Sequence, residues 1–580
     1  KLRAGKTIGA TTNTLTGTKG DVEILADNIN LIANTVSAAG DFNSNTFATN
    51  QLVVNRTLRG DSNTQNFVKS VSGDGFLIDG TPADSMVTSS ILAGKGNKVL
   101  SGASFIGAGF KNQSFSQRGA IVAGIENVAG SNPTFHTQLY GSDVVIGGIR
   151  NRAYGGCSIV GGGQCNMTSA SGLQNAVFGG YCNRIVQGMN SFIGAGGLNQ
   201  IGEYSGGDQR RVKTVYNAIV GGSCNKIIGQ CNVIGGGSFN CILTGGNQNP
   251  HRDLEGFSFI GGGTRNATYL GNSFIGGGKC NTLSAAGSFI GGGAKNFIKS
   301  RGLGGCADDE CITGNTIVNG LSNMITSTKD ITGARGPIRS FIGGGTCNKI
   351  TTNVLWSCSD DSFIGSGCLN TIEGSCRSTI LNGSRNSINS CGTPFGGAEE
   401  NTILGGCCNT INGAQGSTIV AGCQNTIHDC GDNSTIVGGN LNQICCVTSF
   451  IGGGTCNITE QRASFIGNGC RNRSTGLCST IINGCGLSAV ATFSTVIGGK
   501  GNYAGCVANG NCSYSTVIGG KENCASGKCL IIGGGNCNIV RGVASVIVGG
   551  DSNKIQSGKA LAYVGAINCY NTKGSDNTIL

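Results

Sequence analysis

A glycine and an asparagine three residues apart recur through most of this chain on a beat of 15, and that beat constrains the fold more than any other feature. Residues 258–300 read SFIGGGTRNATYLGN, SFIGGGKCNTLSAAG and SFIGGGAKNFIKS, so that Gly263, Gly278 and Gly293 lead to Asn266, Asn281 and Asn296. The series opens with Asn97, Asn112 and Asn127 and closes with Asn523, Asn538, Asn553 and Asn568. It comprises 27 units from about Ser89 onward, with Leu487 in the asparagine slot of one of them. Six residues ahead of the slot most units carry a β-branched residue, as at Ile260, Ile275, Ile342, Ile436, Ile451 and Ile466.

Each position has a physical reading. Ser-Phe-Ile or Ser-Thr-Ile ahead of Gly-Gly is a β-branched and aromatic run closed by a turn, and it predicts a strand of about five residues. A second short strand follows the asparagine, as in Asn225-Lys226-Ile227, Asn348-Lys349-Ile350 and Asn409-Thr410-Ile411. Two strands and two tight corners account for one lap. The chain therefore reads as all-β, a parallel β-solenoid whose laps of about 15 residues rise about 4.8 Å each, a rod on the order of 130 Å long. The asparagine is expected to take the left-handed conformation a corner needs and to ladder its amide on its neighbours. The glycine marks φ > 0 or a place where another backbone comes too near for a Cβ.

Longer laps carry insertions, at 201–216, 247–257, 301–312, 326–339, 351–361 and 391–400, which leave a solenoid at its corners. Residues 1–88 do not keep the beat and read as a β-rich shoulder or cap ahead of the repetitive region 89–580.

Composition agrees with an ordered repeat. Glycine supplies 105 residues and proline only 5, while 38% of residues are hydrophobic, so the chain is neither collagen-like nor disordered. The net charge of +11 is not gathered into basic runs, so no nucleic-acid partner is expected. No apolar stretch is long enough for a membrane span. One inward side chain per strand makes a thin core. Burying about 100 Å² more per lap would contribute roughly 2.5 kcal/mol, so association of three copies about the long axis is expected, and a glycine in every lap suits close axial approach. A self-sufficient monomeric solenoid is the alternative.

The Ser-x-Ile-Gly-Gly-Gly-x-x-Asn-x-Ile unit resembles the head repeats of trimeric autotransporter adhesins of the Yersinia adhesin type, over roughly residues 89–580. It is also similar to arrays in fibre proteins of large viruses and phages. The resemblance implies a left-handed parallel β-roll, a homotrimer, and adhesion through surfaces and loops. One departure is informative: the chain holds 30 cysteines, whereas a chain that crosses an outer membrane unfolded is expected to be nearly free of them. A structural surface fibre of a virus particle that attaches to a host surface is therefore the expected function, located on the virion surface or extracellularly and anchored by other virion or cell-surface proteins. A bacterial trimeric adhesin is the alternative, and a tailspike-like glycan depolymerase the second.

All cysteines lie at or after Cys157, on the corners. Stacked corners bring Cα atoms within disulfide range, and Cys470 with Cys485, Cys408 or Cys407 with Cys423, Cys376 with Cys391, and Cys430 with Cys445 or Cys446 are candidate bridges. Free thiols packed as small apolar residues are the other reading. Zinc is the sharper rival, but no Cys-x-x-Cys knuckle occurs and the histidines are only His136, His251 and His428, so neither metal nor cofactor is expected. Adjacent acids in the insertions, namely Asp308, Asp309 and Glu310, then Asp360 and Asp361, then Glu399 and Glu400, are the places a depolymerase would use. They read first as solvated loop acids, and the chain as no enzyme. For a host glycan, Arg210, Arg211 and Lys213 supply positive charge, and Tyr204 and Trp356 supply rings that stack on sugars.

Overall fold

The computed structural model describes residues 77–78 and, from 89 onward, the chain outside 102, 131–140, 170–172, 187, 203–213, 245–255, 300–312, 328–336, 353–358, 390–399, 507–511, 557–561, 570, 574–576 and 580. It forms two compact units, Lys1–Asn190 and Ser191–Leu580. Both consist of stacked laps with parallel pairing and, among the described residues, no helix.

One lap shows the rule. Phe274–Ile275 pairs with Phe259–Ile260 below and Phe289–Ile290 above, and these strands build what we term sheet I. Thr282–Ser284 pairs with Ala267–Thr268 and Phe297–Lys299 in sheet II. Between the sheets a one-residue column runs through Thr264, Lys279 and Ala294. Most strands hold only two residues, fewer than the expected five, because the corners take more of the lap. In most of the short strands one side chain points inward, and Ile275, Leu283, Ile290 and Ile298 are all fully buried. The core is thus two apolar side chains across, as the beat implies.

The glycine column answers to the chain itself. Gly278 has φ +90°, and a Cβ there would lie 2.0 Å from the carbonyl oxygen of Gly293 in the next lap. Close approach is real, but it comes from a lap of the same chain, so this glycine no longer speaks for an axial neighbour.

The asparagine works differently from the expectation. The left-handed residue is the one before it, as at Cys280 with φ 56° and Lys295 with φ 55°. Asn281 itself is fully buried, and its Oδ1 accepts the backbone N–H of Asn296 at 3.0 Å. Its Nδ2 donates to the carbonyls of Gly277 at 2.9 Å and Gly293 at 3.0 Å. The amide therefore bridges side chain to backbone across laps. Direct amide-to-amide bonds in this column join Asn112 to Asn97 at 3.2 Å and Asn425 to Asn409 at 3.1 Å. A carbonyl and an N–H that a corner would bury unpaired are satisfied this way, which offsets roughly 1–2 kcal/mol of left-handed strain per corner.

At the opposite corner of most laps a second left-handed residue precedes a buried Ser or Asn. Asn272 with φ 55° leads to Ser273, and Asp361 with φ 53° leads to Ser362. Two details depart from the sequence register. Leu77–Ile78, ahead of the expected start at 89, already pairs with Lys98–Val99. In the last lap Asn568 stands opposite Asp551 rather than Asn553, because Gly550 pairs with Ile567 there.

Candidate functional site

The loops expected to read a receptor begin and end on the second corner. Tyr204, Arg210, Arg211, Lys213 and Trp356 lie outside the described residues, as do Asp308, Asp309, Glu310 and Glu399. The loop ends are described, and they carry the chemistry that can be assigned.

The left-handed corner residues of four consecutive laps are Arg339, Asp361, Arg377 and Glu400. Arg339 grips Asp361 with Nε at 2.7 Å and a second nitrogen at 2.8 Å, and Arg377 meets Glu400 at 3.2 Å. The Arg339 guanidinium holds the Asp361 carboxyl below the usual carboxylate range. A general acid for glycan cleavage needs the opposite shift. Three of the four residues close insertions, so alternating charge pins the bases of neighbouring loops. Unit 1 repeats the device at the asparagine corner, where Lys111, Glu126 and Arg150 occupy consecutive laps and Arg150 Nε lies 2.8 Å from Glu126. The arginine holds the Glu126 carboxyl below its ordinary value.

Aromatic rings also stand at loop ends. Tyr216 is 62% exposed and Phe257 58% exposed, each at the left-handed position where an insertion rejoins the stack. Phe493 and Tyr514 stack at the same corner with ring centroids 5.1 Å apart. The rings expected to stack on sugars, Tyr204 and Trp356, are not among these. The signal was present, since Tyr216 and Phe257 terminate two of the insertions.

Cysteines occupy both corners. Cys470 and Cys485 face each other in adjacent laps with Cα atoms 4.7 Å apart and are joined. Cys506 and Cys512 are also joined, across an insertion, a pair the spacing did not suggest. Cys376 is disulfide-bonded, and its expected partner Cys391 lies outside the described residues. Cys408, Cys423, Cys430 and Cys446 are thiols in this structure. Cys407 pairs with Cys423 across laps in the same column as Cys470 and Cys485, and its Sγ lies 3.2 Å from that of Cys408. Burial pushes the Cys445 and Cys524 thiols up, away from thiolate chemistry. Among the described residues no group of three or more His, Cys, Asp or Glu side chains is arranged to hold a metal ion.

No protein-family model matches the chain, and no curated protein is similar to it.

Proposed function

We propose that the chain is a structural fibre of a virus particle, a left-handed β-roll of three parallel copies that displays its corner loops to a host surface. One observation carries this reading. Nearly every lap is closed by the same glycine and asparagine whatever is inserted after it, with Leu487 the one exception in the asparagine slot, so the loops can vary while the stack is kept. Gly293 and Gly320, for example, keep their column although 27 residues separate them, as do Asn296 and Asn323. A scaffold that tolerates variable loops suits attachment, where the recognised surface changes and the support does not. The 30 cysteines favour a virion over a bacterial surface, because a chain threaded unfolded through an outer membrane is poorly served by them. The chain acts without catalysis or cofactor, with host glycans as the expected ligands of the loops.

Negative-stain imaging of the purified chain, combined with cell binding by a variant lacking 301–312, tests the proposal. Elongated particles and saturable binding that the deletion weakens are expected. Compact particles, or turnover of a capsular or cell-wall glycan, would overturn it.

A further inference from the structure

Sheet I has an outer face, and its composition follows a rule that the inner face does not require. Seven and five residues before each slot from Asn97 to Asn553, two positions face outward on either side of the buried Ile or Val. Where the first is large, the second is glycine, as in Phe259 and Gly261, Phe274 and Gly276, Phe289 and Gly291, Phe341 and Gly343, and Phe450 and Gly452. Where the first is Thr or Ala, the second is branched or aromatic, as in Thr316 and Val318, Thr379 and Leu381, Thr402 and Leu404, Thr480 and Ile482, and Ala176 and Phe178. Only the pairs Val144 with Ile146 and Val546 with Val548 depart from the exchange, and no lap places a charge at either position.

The structure gives the exchange a physical cause. A Cβ on Gly261 or Gly291 would meet the next lap's backbone first, Gly276 O at 2.3 Å and Val318 O at 2.4 Å, and in the phenylalanine laps the ring leans over the space left open, with its Cε1 3.4 Å from such a Cβ at Gly261 and 3.2 Å at Gly291. One large apolar group per lap therefore fills one constant outline, supplied from either end. Solvent does not require a constant volume or exclude lysine from a strand's outer face, but a packed partner does both. The strip is open in the single chain, with Leu381 48% and Val220 55% exposed. Its aromatic blocks stack at 5.0–5.2 Å between ring centroids. The outer face of sheet II lacks the exchange and carries Lys226, Lys349, Arg473 and Lys554 at the corresponding place.

We infer that the outer face of sheet I is the face on which a second copy of this chain docks, parallel and in register. The inference rests on the fibre reading above and names its contact surface. In unit 2 the strip runs over about 20 laps at about 4.8 Å each, and two positions about 7 Å apart make it roughly 10 Å wide. It offers on the order of 1,000 Å² per chain, above the roughly 800 Å² per partner of a standard stable interface. An open apolar area of that size marks an interaction site. Rows repeating at the lap rise fit a surface with the same repeat, which another copy possesses, and the aromatic blocks mark where the two copies align.

Light-scattering mass measurement of the full chain tests the assignment. The wild type should have a mass at least twice the 58.5 kDa of one chain. Leu381→Lys, Leu404→Lys and Val437→Lys together should reduce it to a single chain with the β circular dichroism intact. Thr371→Lys, Ser387→Lys and Thr410→Lys, in the same region of sheet II, should leave the assembly unchanged. A single-chain wild type, or dissociation by the sheet II set instead, overturns the inference. Should the sheet I set fail to fold, a benzophenone amino acid replacing Phe363 decides the matter against one replacing Thr371. Interchain crosslinks from 363 support the face, and their absence there sinks it. Elongated assemblies joined through sheet II would refute this face and leave the fibre reading standing, whereas compact particles in stained images would refute the fibre reading whichever face associates.

Discussion

Replacing Asn281 by alanine isolates the bond set that nearly every lap shares. The side chain is fully buried and holds the backbone N–H of Asn296 and the carbonyls of Gly277 and Gly293. The carbonyl of Gly293 also accepts the backbone N–H of Lys279 at 2.9 Å, so it keeps a partner after the change. The alanine strands one N–H and one C=O outright. At about 1–3 kcal/mol for the buried N–H and about 1–2 kcal/mol for the half-buried C=O, the lap loses about 2–5 kcal/mol. Stability in a stacked solenoid is a sum of lap and nearest-neighbour terms, so the loss stays local. Native-state hydrogen exchange resolved over 281–300 should show the Asn296 amide opening about 30-fold to several thousand-fold faster, at 1.4 kcal/mol per factor of ten. The natural counterpart is Leu487, whose backbone N–H is held by Asn472 Oδ1 at 3.0 Å but whose side chain has no oxygen to pass on to Asn502. Leu487→Asn should return an acceptor to the Asn502 N–H, a bond worth about 1 kcal/mol, and slow exchange at residue 502 about five-fold. Exchange at Asn296 within a factor of three of the wild type in Asn281→Ala would refute the reasoning.

Three further outcomes are expected. Gly278→Ala should abolish protection across its lap or prevent folding, since its Cβ would meet the Gly293 carbonyl, whereas Gly277→Ala, with nothing within 4 Å, should change stability by no more than about 0.5 kcal/mol; equal effects in thermal melts would contradict the close-approach account. Asp143, mostly buried at the second corner of unit 1, has its carboxyl raised above the usual range chiefly by burial. The folded state then holds the proton more tightly than the unfolded state, so this group makes stability fall as pH rises from about 3.9 to the raised value and level off above it. Asp143→Asn, which supplies the side chain that Asn175 and Asn217 provide at that corner, should remove this slope in melts between pH 3 and 7, and a wild type that gains stability relative to the variant across that window would sink the account. The hydroxyl of Thr268 is buried in the core without a partner, so Thr268→Val should stabilise its lap by about 1–2 kcal/mol in urea midpoint or exchange; a loss would reveal a partner for that hydroxyl.

Much of the architecture was legible because the repeat is written in residues with strong backbone consequences. The inward Ile275 and Ile290, the glycine column and the corner exit of the insertions follow from spacing alone. The loop-borne ligand residues rest on residue type alone, and Tyr204, Arg210, Arg211, Lys213 and Trp356 fall outside the described residues. The charged corner ladder was not legible. Arg339 and Asp361 are 22 residues apart with an insertion between them, and only the stacking makes them neighbours.

The lap, its core and its glycine follow from the residue pattern alone, because a period of fifteen with a β-branched residue six places before most of the asparagines admits few other packings. The tertiary structure decided what the asparagine does. Its partners are backbone groups of the neighbouring laps, and the left-handed strain sits on the residue before it. It also decided the meaning of the exchange between Phe274 with Gly276 and Thr379 with Leu381. Alternate residues on a strand share a face, and whether that face is covered by the chain's own core or left open depends on how the laps close.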